Sequence, residues 1–412
     1  MKDQLDQLML ERNLDALFVS GRVRHNPALT YLVNGAALSR AEVVWRRGET
    51  PVLIVNAMER EEAQAAGLPV VLNSRYDYRG LLQEHEGDSL AASVAYLQRI
   101  FEDQGVRGRV GCYGLSDQGT AYVLLRALNA ALPQVEIVGE MPPTLITEAR
   151  ATKSPHEMRR IREVGRRTTR VVEETLVFLQ QHPIGDDEVL RRADGQPLTV
   201  GDVHAHIRRL IALQGLEDPE GFIFATGRDA GIPHSKGTAV WPLRLGESIV
   251  FDIFPCEPRG GYFFDMTRTF CLGYAPPAVQ RIYEDTRACL RRVTDALTVG
   301  EPTYRYQELA CDFFRERGHS TLAEDPATTA GYVHDLGHGV GLDLHEAPAF
   351  TYHPRHLTPL QPGHVFTIEP GLYYPDEGMG CRLEDVFWID EEGLVHNLTD
   401  FSYDLVVPVD VG

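Results

Sequence analysis

Four acidic residues lie inside runs that otherwise read as buried β-strand. Asp252 sits in Ile249-Val-Phe-Asp252-Ile-Phe254 and Asp265 in Gly261-Tyr-Phe-Phe-Asp265-Met-Thr-Arg-Thr-Phe270. Glu369 sits in Val365-Phe-Thr-Ile-Glu369-Pro-Gly-Leu-Tyr-Tyr374 and Glu384 in Gly380-Cys-Arg-Leu-Glu384-Asp-Val-Phe-Trp388. A carboxylate taken out of water without a partner costs several kcal/mol, so each acid must be protonated, ion-paired or metal-bound. The local cations are chiefly Arg268 and Arg382. Two divalent ions would supply the missing charge. One such acid alone reads as the solvent-facing residue of an amphipathic strand; four together do not. They also form a faint repeat: Gly261 precedes Asp265 by four residues, as Gly380 precedes Glu384. Each half resembles a strand pair carrying two acids, and two facing pairs would bring all four together.

A second stretch supplies imidazole. His334, His338 and His345 are interleaved with Gly337, Gly339 and Gly341. His334 and His338 have the i, i+4 spacing of a helical zinc pair, but each glycine would cost about 1 kcal/mol in a helix interior. The glycines fit better where backbone approaches a ligand closely, which makes the stretch a site floor. His234 follows in a Gly- and Pro-rich loop, Gly227-Arg-Asp-Ala-Gly-Ile-Pro-His234. Four carboxylates and an imidazole form an oxygen-rich donor set suited to Mn²⁺, Co²⁺ or Zn²⁺ and not to copper. Bridging carboxylates would hold two such ions about 3.5–4 Å apart, able to ionise water and polarise a carbonyl. The implied reaction class is metal-assisted hydrolysis.

At 412 residues, two domains are the expectation. A net charge of −19 argues against a nucleic-acid partner. The six cysteines include no C-x-x-C pair, and sparse cysteines in a long chain read as reduced thiols of a cytoplasmic protein. The polar start is no signal peptide, and no apolar run approaches the ~20 residues of a membrane span.

Residues 1–148 read as a small α/β domain in which strand-like Ala16–Ser20, Ala41–Trp45, Pro51–Val55 and Val110–Tyr113 alternate with helical Ser89–Ile100 and Gly119–Ala131. A boundary falls near Glu148–Lys153. Ser154-Pro155-His-Glu157 then opens a long helix with a capping box, and Thr199-Val-Gly-Asp202 opens another. On the latter, His204 and His206 do not share a face and read as surface residues.

At these residues the chain resembles the pita-bread metallopeptidases of the aminopeptidase P, prolidase and creatinase branch. The motifs are the Asp252 strand, Asp265-x-Thr-Arg-Thr269, Gly337-His-Gly-x-Gly341 followed by His345-Glu346, Glu369-Pro-Gly371 and Arg382-x-Glu-Asp385. The resemblance implies an α+β protein: a catalytic pita-bread domain over residues 152–412 and a creatinase-like α/β domain over 1–148. It implies Asp252, Asp265, His338, Glu369 and Glu384 as ligands to two divalent ions per subunit, Mn²⁺ foremost and Zn²⁺ or Co²⁺ next. Asp265 and Glu384 would bridge, and Glu369 would also handle the proton of the attacking water. His234, His334 and His345 would surround the substrate, stabilising the oxyanion or protonating the departing imino nitrogen. Arg355, with Arg382 as its rival, would grip a dipeptide's terminal carboxylate. The implied activity is hydrolysis of Xaa-Pro bonds, leaning to dipeptides, by a cytoplasmic homodimer acting on proline-containing peptides without nucleic-acid or membrane partners. The alternatives are an Xaa-Pro aminopeptidase for longer peptides, a metal-free creatinase-like hydrolase and a non-catalytic binding module. The chain departs from the family in spacing Asp252 and Asp265 more widely, which is expected to lengthen a hairpin and leave the ligands in place.

Overall fold

The computed structural model describes residues 3–351 and 358–409. Contacts divide the chain into two compact units, Met1–Arg150 with Arg259–Gly261, and Ala151–Pro258 with Tyr262–Gly412.

The first unit holds one six-stranded sheet made of β1 (Ala16–Arg22), β2 (Arg40–Arg46), β3 (Val52–Val55), β4 (Val70–Leu72), β5 (Gly108–Tyr113) and β6 (Val135–Val138). Their order is β4-β3-β2-β1-β5-β6. β1 runs antiparallel to β2 and parallel to β5. Ala16, Leu17, Phe18 and Val19 are all buried, so β1 is covered on both faces, as a central strand must be. Helices Ser89–Asp103 and Gln118–Ala131 pack Ile100, Phe101 and Leu128 against Phe18 and Val110.

The second unit opens with helix Pro155–Gln180, whose capping box joins Ser154 and Glu157, and continues with helix Val200–Leu213, capped the same way by Thr199 and Asp202. The strands that follow are β7 (Phe222–Thr226), β8 (Ser248–Ile253), β9 (Met266–Leu272), β10 (Gly337–Gly339), β11 (Glu346–Phe350), β12 (Val365–Ile368), β13 (Gly371–Tyr374), β14 (Met379–Arg382), β15 (Asp385–Ile389), β16 (Val395–Asn397) and β17 (Val406–Val407). They form a four-stranded sheet β17-β9-β8-β7, a five-stranded sheet β11-β10-β12-β15-β16 and the hairpin β13-β14. Helices Pro277–Thr294 and Tyr304–Glu316 bury Ile282, Leu290, Tyr306 and Phe314 in a core shared with Phe350, Phe366 and Leu372.

Two readings need correction. The runs around Glu369 and Glu384 are not single strands. Pro370, which has no N–H to give a ladder, separates β12 from β13, and Leu383-Glu384 separates β14 from β15. The acids therefore sit at strand breaks and ends, where neighbouring sheets meet. His204 is buried, with its Nε2 3.1 Å from the carbonyl of Phe224. It shares the apolar stripe of Val200, Val203, Ile207 and Ile211, whose i, i+3, i+4 spacing outweighed its polarity. His206 is half-buried and stacks on Phe178.

His334–His338 is not helical, as the glycines required, but the reason for the glycines differs from a ligand approach. A Cβ on Gly337 would lie 2.1 Å from the Thr367 carbonyl oxygen, and one on Gly339 would lie 2.2 Å from that of Ala347. These glycines let β10 press against its neighbouring strands.

Candidate metal centre

Strand register assembles the acids. In the antiparallel pair β8–β9, Asp252 lies opposite Thr267. Asp265, two residues before Thr267, falls on the same face. An isolated bridge joins Thr267 to Glu384, and Thr267 Oγ1 donates to Glu384 Oε2 at 2.8 Å. The thirteen-residue interval between the aspartates leaves this register intact. The tip of the extension, Arg259–Gly261, groups with the first unit, where His25 N–H donates to the Arg259 carbonyl at 3.2 Å.

His338, from β10, completes the cluster. Ligand atoms of Asp265, His338 and Glu384 all lie within 4.8 Å of one another. His338 Nε2 is 3.6 Å from Asp265 Oδ2 and 3.5 Å from Glu369 Oε1, too long for hydrogen bonds. His338 Nδ1 donates to the Gly339 carbonyl at 3.2 Å, which leaves a bare lone pair on Nε2. Burial, and secondly the neighbouring His345, push this imidazole down to about 3, so it stays neutral. A lone pair aimed at carboxylate oxygens calls for a cation between them.

The acids carry the same signature. Asp252 Oδ1, Asp265 Oδ1 and Glu384 Oε1 are buried without a hydrogen-bond partner. Burial, then Glu384 and Asp252, raise Asp265 well above the carboxylate range. Burial, then Glu369 and Asp252, do the same to Glu384. Burial pushes Glu369 up to about 8 against the pull of Arg382. Orphaned oxygens, mutual repulsion and an unprotonated imidazole nitrogen fit a divalent ion. Without metal Glu369 holds a proton near neutral pH, burial and mutual repulsion favour protons on Asp265 and Glu384 as well, and metal binding must displace them. Calorimetric titration of metal-free protein with Mn²⁺ at pH 7 should therefore release protons, seen as a heat that depends on the buffer's ionisation enthalpy. Affinity should climb as pH rises through about 8. A buffer-independent heat would contradict the protonated acids.

Arg382 is turned into the site. Its Nη2 donates to Asp252 Oδ2, Nη1 to Tyr373 Oη at 2.8 Å and to the Pro233 carbonyl at 3.2 Å, and Nε to Thr267 Oγ1 at 3.2 Å. Arg382 is thus the buried counter-ion to Asp252. Its rival for gripping a substrate carboxylate, Arg355, lies outside the described residues.

The histidines divide. His334 Nδ1 donates to the Asp335 carbonyl at 2.7 Å, and its Nε2 accepts from Tyr373 Oη at 2.9 Å. Both ring nitrogens are engaged, and burial followed by Arg382 pushes this ring down to about 3. His345 is exposed, its ring centroid 4.1 Å from that of His338. His234 is exposed in its turn and close enough to depress both His334 and His345 electrostatically. Sequence reasoning missed Thr267 and Tyr373. Thr267 was findable, because it lies two residues from Asp265 on the same strand face. Tyr373 was not, because its partner His334 is 39 residues away.

The family model for metallopeptidase family M24 matches residues 159–391. The chain belongs to this family. As a metallopeptidase of family M24, it is a hydrolase that uses divalent metal, and its Asp265–His338–Glu384 cluster could hold such an ion. Among curated relatives, the Xaa-Pro dipeptidase of Pyrococcus furiosus is 28% identical over 264 residues, 62% of this chain and 71% of the relative. Among solved structures, the Xaa-Pro dipeptidase from Bacillus anthracis superposes with a TM-score of 0.74 at 22% identity, covering 98% of each chain. The X-Pro aminopeptidase from Thermotoga maritima matches with the same TM-score and identity over 97% of this chain and 99% of that one. At such identity the structures establish the fold: the M24 chain has the α+β pita-bread architecture.

Proposed function

We propose that this M24 chain is a dinuclear metal-dependent peptidase that cleaves Xaa-Pro bonds, with dipeptides preferred. The observation that carries the reading is the unprotonated His338 Nε2 facing Asp265 and Glu369 beside three orphaned carboxylate oxygens. Asp252, Asp265, His338, Glu369 and Glu384 would hold two divalent ions, Mn²⁺ foremost and Zn²⁺ or Co²⁺ next. Bound there, the ions neutralise the acids, activate a water near neutral pH and polarise the scissile carbonyl.

The chain's own groups do the rest. Glu369 has the raised carboxyl of a group able to take up and return the attacking water's proton. A bond to proline leaves a nitrogen that carries no hydrogen, so a proton must reach it as the bond breaks. His345 and His234 are the exposed imidazoles at the cluster and would stabilise the oxyanion and deliver that proton. Burial depresses His345, so it acts as a neutral N–H donor at pH 7. Arg382 orients Asp252, and His334 steadies Arg382 through Tyr373.

The relatives named as Xaa-Pro dipeptidases support the dipeptide preference. The equally similar aminopeptidase fold supports a second reading, removal of the first residue from longer peptides. The resemblance to prolidases also supports a cytoplasmic homodimer. Among the described residues no helix is long and apolar enough to cross a membrane. Purified protein stripped of metal and reloaded with Mn²⁺ should cleave Ala-Pro faster than Ala-Pro-Ala. Equal rates on the two would remove the dipeptide preference, and no metal-dependent cleavage of either would remove the reading.

A further inference from the structure

The second unit contains an ion pair that the mechanism does not use. Lys153 and Glu346 have side chains only 1% and 2% exposed and pair directly, and Lys153 Nζ also donates to the Ala151 carbonyl at 3.1 Å. Glu346 immediately follows His345. It pairs in register with Gly339, and its Oε2 accepts from Asp343 N–H at 3.4 Å. Its carboxylate lies directly over Gly341, where a Cβ would fall 2.2 Å from Oε1. Gly341 N–H donates to the Asp343 carbonyl at 3.1 Å, and its own carbonyl accepts from Phe263 N–H at 2.8 Å. The loop between Gly339 and Glu346 is thus drawn shut by the carboxylate of Glu346. Lys153 is itself anchored, its N–H donating to the Gly363 carbonyl at 2.8 Å, just ahead of β12, the strand that leads to Glu369.

We propose that Lys153 is a positioning residue for His345. Its ammonium neutralises Glu346, Glu346 closes the loop across Gly341, and the closed loop holds the His345 ring beside His338. The catalytic part of this inference rests on the functional reading above; the positioning part does not. The competing role for such a pair is bulk stability, and a buried pair is weak evidence for that.

The test uses the full chain with Lys153→Met and Glu346→Gln together, which removes both charges at similar volume and leaves neither buried alone. Hydrogen exchange of the 340–346 peptide should quicken about tenfold through local opening, with the remainder of the second unit unchanged. On Ala-Pro, kcat should fall about ten- to a hundredfold, the range for loss of a supporting contact, with little change in KM. Added to His345→Ala, the pair should cost nothing further, because both act through one ring. Gly341→Ala, which displaces Glu346 without removing a charge, should quicken exchange in the same peptide and covers the case of a paired variant that does not fold. Unchanged exchange at 340–346, or losses that multiply with His345→Ala, would overturn the proposal. A wild type that cleaves no Xaa-Pro substrate would overturn the functional reading, and the exchange measurement, which needs no substrate, still decides the positioning claim.

Discussion

Glu384→Ala should abolish metal retention and hydrolysis while leaving the metal-free chain folded. Glu384 is 1% exposed, and one of its oxygens has no hydrogen-bond partner. Burial and the nearby Glu369 and Asp252 hold its carboxyl well above its usual range. Without metal this group is a liability, so its removal relieves repulsion. That relief offsets the bond lost from Thr267, whose hydroxyl still accepts from Arg382 Nε. The metal-free variant should therefore melt within a few degrees of the metal-free wild type. With metal the two part. A ligand at a hundredfold excess over its Kd stabilises a fold by about 2.7 kcal/mol, and the wild type should gain on that order while the variant gains almost nothing. Activity should fall by more than about a thousandfold, since the group that places the developing charge is lost with the metal. Thermal scans with and without Mn²⁺, elemental analysis and an Ala-Pro assay check each part. Wild-type metal content in the variant would remove Glu384 from the ligand set.

This behaviour also explains which parts of the site could be read from the chain alone. Acids in apolar runs are costly by themselves, so Asp252, Asp265, Glu369 and Glu384 stood out without any knowledge of their partners. The histidines did not sort themselves in the same way. His334 and His345 look alike in sequence, yet one spends both ring nitrogens on Asp335 and Tyr373 while the other is exposed. That difference is made by chain segments distant in sequence. The same applies to Arg382, whose position was visible but whose direction, toward Asp252, depends on β8. Local signals carried the helix starts at Ser154 and Thr199, because a capping box is closed within four residues. The strand breaks at Pro370 and Leu383-Glu384 were hidden by continuous hydrophobicity, which marks burial but not which sheet a residue joins.

Asp385→Ala should produce the largest loss of stability of any single change near the site, about 3–5 kcal/mol, the cost of leaving a buried partner charge alone. Arg268 and Asp385 are 1% and 0% exposed and pair at 2.8 Å. Asp385 also accepts from Asn397 Nδ2 at 2.8 Å and from Tyr403 Oη, so alanine would orphan three donors at once. Arg268 does more than balance charge. It donates to the main-chain carbonyls of Thr267, Glu384, Phe401 and Ser402, at 3.0, 2.9, 3.2 and 2.9 Å. It thereby ties the segment after β16 to the backbone of Glu384. Replacing both partners by apolar residues often restores stability where an ion pair stands by itself. Here Arg268→Met with Asp385→Leu should recover only part of the loss, because the Thr267 and Glu384 carbonyls would each keep only their backbone donor and Asn397 Nδ2 and Tyr403 Oη would lose their acceptor. Asp385→Asn, which keeps an acceptor for Tyr403, should cost the least of the three. Urea or thermal unfolding of the three metal-free variants tests this ordering. An Asp385→Ala protein within about 1 kcal/mol of wild type, the value of an ordinary hydrogen bond, would show that the pair does not hold this edge of the site.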